Sequence, residues 1–272
     1  MDRDRMIGLA YWGAVAYWGE SNGWPKKGWN FSYFNHALEP YPQAYLVRSA
    51  FTNKPLVYIG VVDNEAENIE WNDVIVGHMP ISSHWNREEG SLQNIFTYTN
   101  AEEVELLVNG KSIGIQKNEQ NNNERRNMIY WQNVPYMKGN VVAIARNSGN
   151  EVARHQIETT GKATSLRVEM ENPNWKADGM DVQYIKVYAT DSKGRVVPTA
   201  QGEVVFDVSG AARLIAVDNG DHSSGELFSG NKRALHNGFA LAILRSGQTP
   251  GEVNVKATVD GLKAAKLKLS TR

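Results

Sequence analysis

Glu103-Val104-Glu105-Leu106-Leu107-Val108-Asn109-Gly110-Lys111-Ser112 is the stretch whose reading decides the fold. Val104, Leu106 and Val108 alternate with Glu103, Glu105 and Leu107, so an extended strand there turns one apolar face inward. Asn109-Gly110 then predicts a type I′ hairpin, because both central positions need φ > 0. A return strand follows over 112–116. One hairpin with a buried face needs a second layer to cover it, which makes a sandwich the first expectation.

Outward from this hairpin the same grammar repeats. A second hairpin joins strands over 141–146 and 151–157 through Asn147-Ser148-Gly149-Asn150. The polar stretch 118–126 between the hairpins is expected to be an exposed loop. Further on, strands are expected over 182–190, 204–208, 239–244, 253–259 and 262–269. Asp191-Ser192-Lys193-Gly194 turns the chain after the first of them, and Asp260-Gly261 joins the last two. No long helical period interrupts, so the sheets should be antiparallel. The fold class is mainly β: two immunoglobulin-like sandwiches of about 110 residues each, over 53–162 and 163–272. Thr160-Gly161-Lys162 is the expected boundary.

Residues 1–52 have a different texture and hold four of the eight tryptophans: Trp12, Trp18, Trp24 and Trp29. Residues 7–12 are a continuous apolar run, as in a strand buried on both faces. A long loop rich in Gly, Pro, Asn and Trp follows to about Pro42. Ala44, Val47, Ala50 and Phe51 then fall at helical spacing, with Pro42 near the helix start. A lone βα unit has no partner for its parallel strand. It should dock on the sandwich over 53–162, pair with a second copy or lack fixed structure, and its deletion should leave the thermal midpoint of the sandwiches nearly unchanged.

Charge and composition exclude several roles. There are 29 basic and 30 acidic side chains and a formal net charge of −1. That leaves no basic field to neutralise phosphates, so nucleic acid is not an expected partner. No apolar stretch approaches the roughly 20 residues of a membrane-spanning helix. Asp2, Arg3, Asp4 and Arg5 stand where the apolar part of a signal peptide would begin. Cysteine is absent, which removes disulfides, thiolate metal sites and cysteine nucleophiles.

Few side chains suggest chemistry. Glu20 and Glu39 share the aromatic loop, but two carboxylates 19 residues apart in a loop favour bracing roles over a catalytic pair. Trp24 and Trp29 suit either sugar stacking or loop packing, and the local density of Trp and Tyr tips the cluster toward carbohydrate. His84 and His155 are isolated and read as structural. Asp218-Asn219-Gly220-Asp221 lacks the closing bidentate Glu of a calcium loop and reads as a tight turn. Arg125-Arg126 lie on a solvated face. No metal or cofactor is expected.

The run from Gly8 to Glu20, with its Tyr11-Trp12-Gly13 and Tyr17-Trp18-Gly19-Glu20 pieces, resembles the eighth barrel strand and following loop of glycoside hydrolase family 2, the β-galactosidase family. Trp24-Pro25, Tyr33-Phe34-Asn35 and Pro42-Gln43-Ala44-Tyr45 continue the match into the last barrel helix. His84-Trp85-Asn86, Thr97-Tyr98-Thr99-Asn100-Ala101-Glu102-Glu103 and Asn109-Gly110-Lys111-Ser112 are similar to the immunoglobulin-like domain after the barrel. Lys176-Ala177-Asp178-Gly179, Asp218-Asn219-Gly220-Asp221 and Asn237-Gly238 look like a further C-terminal sandwich.

The resemblance implies residues 1–52 as the end of a (β/α)8 barrel and the rest as accessory sandwiches that brace it, in a periplasmic or extracellular enzyme. Its chemistry would be retaining hydrolysis by two glutamates about 5–5.5 Å apart. Both belong to earlier barrel strands, and neither position falls in these 272 residues, so no catalytic residue is assigned. Trp12 matches the tryptophan that stacks on the innermost sugar, with Trp24 as a second substrate-binding candidate. Many members carry Asp four residues after that tryptophan, where this chain has Ala16, so the sugar stays open. The expected partners are carbohydrate, through the parent enzyme, and the upstream barrel. The competing expectation is a stand-alone carbohydrate-binding or surface-interaction protein of two immunoglobulin-like modules, which would have no use for an orphan barrel strand.

Overall fold

The structure, a computed structural model, describes residues 12–20, 24, 27–29, 32–63, 67–71, 74–78 and 80–272. A two-stranded ladder of β1 (Tyr17–Trp18) and β2 (Gly28–Trp29) precedes one helix, α1 (Gln43–Ala50). Next come β3 (Val57–Val62), the hairpin of β4 (Glu67–Trp71) and β5 (Val74–His78), β6 (Ile81–Ser82) and β7 (Leu92–Thr99). β8 (Glu103–Val108), β9 (Lys111–Lys117), β10 (Met128–Pro135), β11 (Asn140–Asn147) and β12 (Asn150–Glu158) follow. The rest of the chain forms β13 (Ser165–Met170), β14 (Val182–Thr190), β15 (Glu203–Gly210), β16 (Ala212–Asp218), β17 (Lys232–Ala234), β18 (Phe239–Ser246), β19 (Gly251–Thr258) and β20 (Ala265–Thr271).

The strand at 103–108 behaves as its alternation dictates. Val104, Leu106 and Val108 are fully buried, while Glu103, Glu105 and Leu107 are half-buried on the other face. Asn109 and Gly110 take φ of 49° and 79°, and the Asn109 side chain bonds the Asn140 amide and the Lys138 carbonyl, tying this turn to β11. Ser148 and Gly149 repeat the geometry at the second hairpin, with φ of 49° and 81°.

Sheets of order β10-β7-β3-β6 and β12-β11-β8-β9 face each other across Ile59, Ile95, Leu106, Trp131 and Trp85. A second pair, β13-β14-β18-β16 and β17-β15-β19-β20, closes over Trp175, Ile185, Phe206 and Leu244. All ladders are antiparallel. In the second pair, β13, β14, β16 and β18 stand for strands A, B, D and E and run A-B-E-D, while β15, β19 and β20 stand for C, F and G and run C-F-G in the facing sheet, with β17 added beside β15. This is the immunoglobulin-like arrangement. Trp85 anchors the first core, its indole donating to the Met137 carbonyl at 3.1 Å. A buried ring of on the order of 150–250 Å² contributes several kcal/mol at about 25 cal/mol per Å².

Several expectations shift. Residues 118–126 are not exposed throughout: Asn118 is buried, bonding the Thr99 and Ala101 carbonyls and the Asn127 amide, and so pins the loop down. The last strand starts at Ala265, not 262, because the Lys263 amide donates to Thr164 O and bridges toward β13 instead. The aromatic loop is not structureless, since it holds β1, β2 and a parallel bridge between Val15 and Phe34. Of the expected strand at 7–12, only Trp12 lies within the described residues.

α1 forms where the spacing placed it, with Pro42 at its start at φ −53°. It docks on the outer face of the β7-β3 ladder. Tyr45 stacks on Tyr58 at 3.6 Å between centroids, and Tyr58 on His155 at 4.2 Å. Gly60 permits this approach, because a Cβ there would stand 3.1 Å from Pro42 and 2.6 Å from Ile81.

Candidate functional site

Trp12 opens the described chain at a tight turn. Gly13 has φ 68°, and a Cβ on it would lie 2.9 Å from the Tyr17 ring, so only glycine lets the turn close. Trp12 Nε1 donates to the Tyr17 hydroxyl at 3.0 Å, and that hydroxyl donates to Glu20. The hydrogen bond to Glu20 raises the Tyr17 pKa above its ordinary value. The relay fixes the indole edge while its faces stay open: Trp12 is 78% exposed. Trp24, between β1 and β2, is 86% exposed, with Lys27 Nζ 5.7 Å from its ring centroid.

Beneath these rings the segment grips the second sandwich. His36 Nε2 lies 3.0 Å from Asp218 Oδ1, and His36 Nδ1 lies 3.4 Å from His222 Nε2. Trp18 covers this pair edge-on, 4.8 Å from His36, and Phe228 packs against Trp18 at 5.5 Å. Asp218 also accepts the Asn219 and Gly220 amides and lies 3.4 Å from Arg233, which is fully buried. Burial opposes ionisation of Asp218, but its hydrogen bond from His36, with the two amides, outweighs it and holds the carboxyl below its usual range. His222 is pushed down to about 4, chiefly by burial and then by the facing His36. A second grip joins Glu39 to Lys186 at 2.8 Å.

The structure thus keeps Trp12 and Trp24 on the surface of one segment, as candidate rings for a sugar. Trp29 sits half-buried in β2. Glu20 and Glu39 serve different partners, Tyr17 and Lys186, and both brace the loop. His84 accepts from the Asn86 amide and His155 from the Ile59 amide. Burial first of all lowers each to about 4, so both are neutral structural groups. Asp218-Asn219-Gly220-Asp221 is a turn, with Gly220 at φ 77°, and among the described residues no His, Asp or Glu cluster has metal-holding geometry. The turn does more than reverse the chain, because it receives His36. No spacing signalled that pairing, which joins residues 182 positions apart.

Residues 166–268 match the family described as Glycoside hydrolase family 2 C-terminal domain 5, and residues 90–153 match a domain of unknown function, DUF4982. The chain is 33% identical over 272 residues to Beta-galactosidase BoGH2A of Bacteroides ovatus, covering 99% of this chain and 29% of that protein. A Beta-glucuronidase of Formosa agariphila is 30% identical over 195 residues, 70% of this chain and 19% of its own length. The crystal structure of a glycosyl hydrolase family 2 member from Bacteroides cellulosilyticus superposes with a TM-score of 0.87 at 30% identity, over 96% of this chain and 35% of that one.

The chain belongs to glycoside hydrolase family 2. It corresponds to a C-terminal, non-catalytic portion of such an enzyme and spans about a third or less of the relatives it matches.

Proposed function

We propose that this family-2 portion braces an upstream catalytic barrel and lends Trp12 and Trp24 to the sugar site of a β-galactosidase-like parent enzyme. In this reading residues 1–52 end the barrel, and 53–162 and 163–272 are accessory domains of an enzyme at work in the periplasm or outside the cell. The observation that carries it is Trp12: a large ring held by its indole edge through Tyr17 and Glu20, with its faces turned to solvent. Aromatic faces pack on the C–H faces of pyranose rings, and an edge fixed in advance lowers the ordering cost of doing so. The β-galactosidase name of the Bacteroides ovatus relative supports a galactoside, and the Formosa agariphila relative makes a glucuronide the competitor.

Titrating the chain with methyl β-galactoside and methyl β-glucuronide, read by tryptophan fluorescence, tests this reading. A weak galactoside response that disappears in Trp12→Ala and shrinks in Trp24→Ala is expected. A response indifferent to Trp12 would sink the assignment. The chain by itself should hydrolyse no aryl β-glycoside above background, since retaining hydrolysis needs two flanking carboxyls. Turnover that disappears in Glu20→Gln or Glu39→Gln would overturn that expectation.

A further inference from the structure

The proposed sugar rings stand on a segment whose position is set elsewhere. Among the described residues between Ala14 and Tyr41, the His36 contacts, the Glu39–Lys186 pair and the Lys27 amide donating to His222 O at 3.0 Å tie it to the second sandwich. Lys27 Nζ also donates to Ser224 O at 3.1 Å, which carries the grip to within one cation–π contact of Trp24. Asn35 fits against Gly220 so closely that a Cβ there would lie 2.2 Å from its Nδ2.

The hydrogen-bond directions follow from the carboxylate. Asp218 only accepts, so His36 Nε2 carries a proton and donates. In a neutral His36, Nδ1 is then an acceptor, and the facing Nε2–H of His222 supplies its partner. One proton per ring satisfies the chain His222 to His36 to Asp218. A second proton on His36 would set two N–H groups against each other. Among the described residues, the charged and titratable groups around this chain include Asp218, Asp221, Glu226, Lys27, His236 and Arg233. Arg233 Nη2 bonds Asn219 Oδ1 at 2.9 Å, its Nε lies 3.6 Å from Glu226, and its guanidinium packs over Phe228 at 5.2 Å. A buried guanidinium behind Asp218 makes any further cation in the cluster unfavourable.

We propose that Asp218 and His222, backed by Arg233, are positioning residues that clamp His36 and thereby fix the segment presenting Trp12 and Trp24. The second sandwich, not only the barrel, then sets where the sugar-facing rings stand. This rests on the reading that those rings meet carbohydrate, but the clamp is measurable apart from it. His222 and His236 both bind protons less readily than free imidazole, through burial first. Unfolded or released segments take up those protons near pH 6.5, so the clamp is complete above that pH and weakens as pH falls toward about 4.

Hydrogen exchange on the full chain tests it, reading the amides of Ala16, Lys27 and Asn35, with those of Ile185 and Val187 in β14 as internal reference. His36→Ala should speed exchange at the three segment amides by about tenfold or more, with the reference amides unchanged. His36→Gln, whose amide nitrogen donates to Asp218, should restore most of the protection, and His222→Gln, which can donate to His36 Nδ1 but takes up no proton, should flatten the decline of protection between pH 6.5 and 4. Asp218→Asn should loosen the segment as His36→Ala does. Unchanged protection in His36→Ala, or an unaltered pH profile in His222→Gln, would overturn the clamp. Sugar titrations of the same variants separate the two ideas. Segment amides that loosen with no galactoside response even in the parent chain keep the clamp and sink the sugar reading. A response that weakens in His36→Ala and returns in His36→Gln supports both.

Discussion

Trp85 shows what a single residue does for a fold that lacks disulfides. It is the largest side chain with no exposure in the first sandwich, and its indole N–H is spent on the Met137 carbonyl. Trp85→Ala should destabilise that sandwich by about 3–5 kcal/mol, transfer and cavity effects together. Trp85→Phe keeps most of the apolar area but leaves the carbonyl unpaired, which costs about 1–3 kcal/mol. Urea denaturation followed by the remaining aromatic signals ranks the two, and equal losses would show that the hydrogen bond contributes little. Some residues announced their role in the sequence. Asn109-Gly110 spelled its turn because few residue types accept two positive φ values in succession. His36 and Asp218 announced nothing of their pairing, since a hydrogen bond between residues far apart in the chain leaves no local pattern.

Elements were legible where an unbroken alternation or a turn signal marked them, as Asn109-Gly110 marked the exposed β9. β14 is met from end to end because its inward residues alternate without a break, and β8 likewise. β3, β7 and β10 were not marked out although each buries a face, and neither were β13, β16 and β17, which are short or carry exposed and half-buried positions on both faces. β17 has three residues and lies at a sheet edge, too little to bias a window of sequence. The contact between β3 and β12 carries a pH prediction. His155 Nδ1 accepts the Ile59 amide and its ring stacks on Tyr58, so a proton there breaks the hydrogen bond. Burial lowers its pKa to about 4, below the roughly 6.5 of an unfolded histidine. The unfolded chain therefore binds more protons in that window, and stability falls as pH drops from about 6.5 toward 4. His84 adds to the same slope, lowered to about 4 by burial and then by Arg87. His155→Gln should lower stability at pH 7.5 yet flatten the acid slope in denaturant midpoints. An unaltered slope would move the effect to other groups.

At the scale of the whole molecule, the first 52 residues decide whether the sandwiches are independent. Sequence alone made this segment an orphan whose removal leaves them untouched. The contacts argue otherwise. Tyr45 completes a three-ring stack with Tyr58 and His155 on the first sandwich. Glu39 shares Lys186 with Glu171, and His36 fills the position between Asp218 and His222 on the second. The junction is tied as well. The Thr160 amide donates to Asn86, the Gly161 amide to Asp191, and Arg195 spans Asp191 and Glu158. Deleting 1–52 strips cover from Tyr58, exposes Asp218 with Arg233 behind it, and leaves Lys186 with one carboxylate in place of two. Each loss is modest, but they fall on both sandwiches at once. We therefore expect the truncated chain to melt several degrees lower, since about 1 kcal/mol shifts a domain of this size by roughly 4–8 °C. Calorimetry at pH 7.5 measures it, with two transitions expected if the sandwiches unfold separately. The transition of the second sandwich should become less sensitive to pH between about 6.5 and 4, because the segment that helps bury His222 is gone. A truncated chain with unchanged midpoints would mean that the segment rests on the sandwiches without stabilising them.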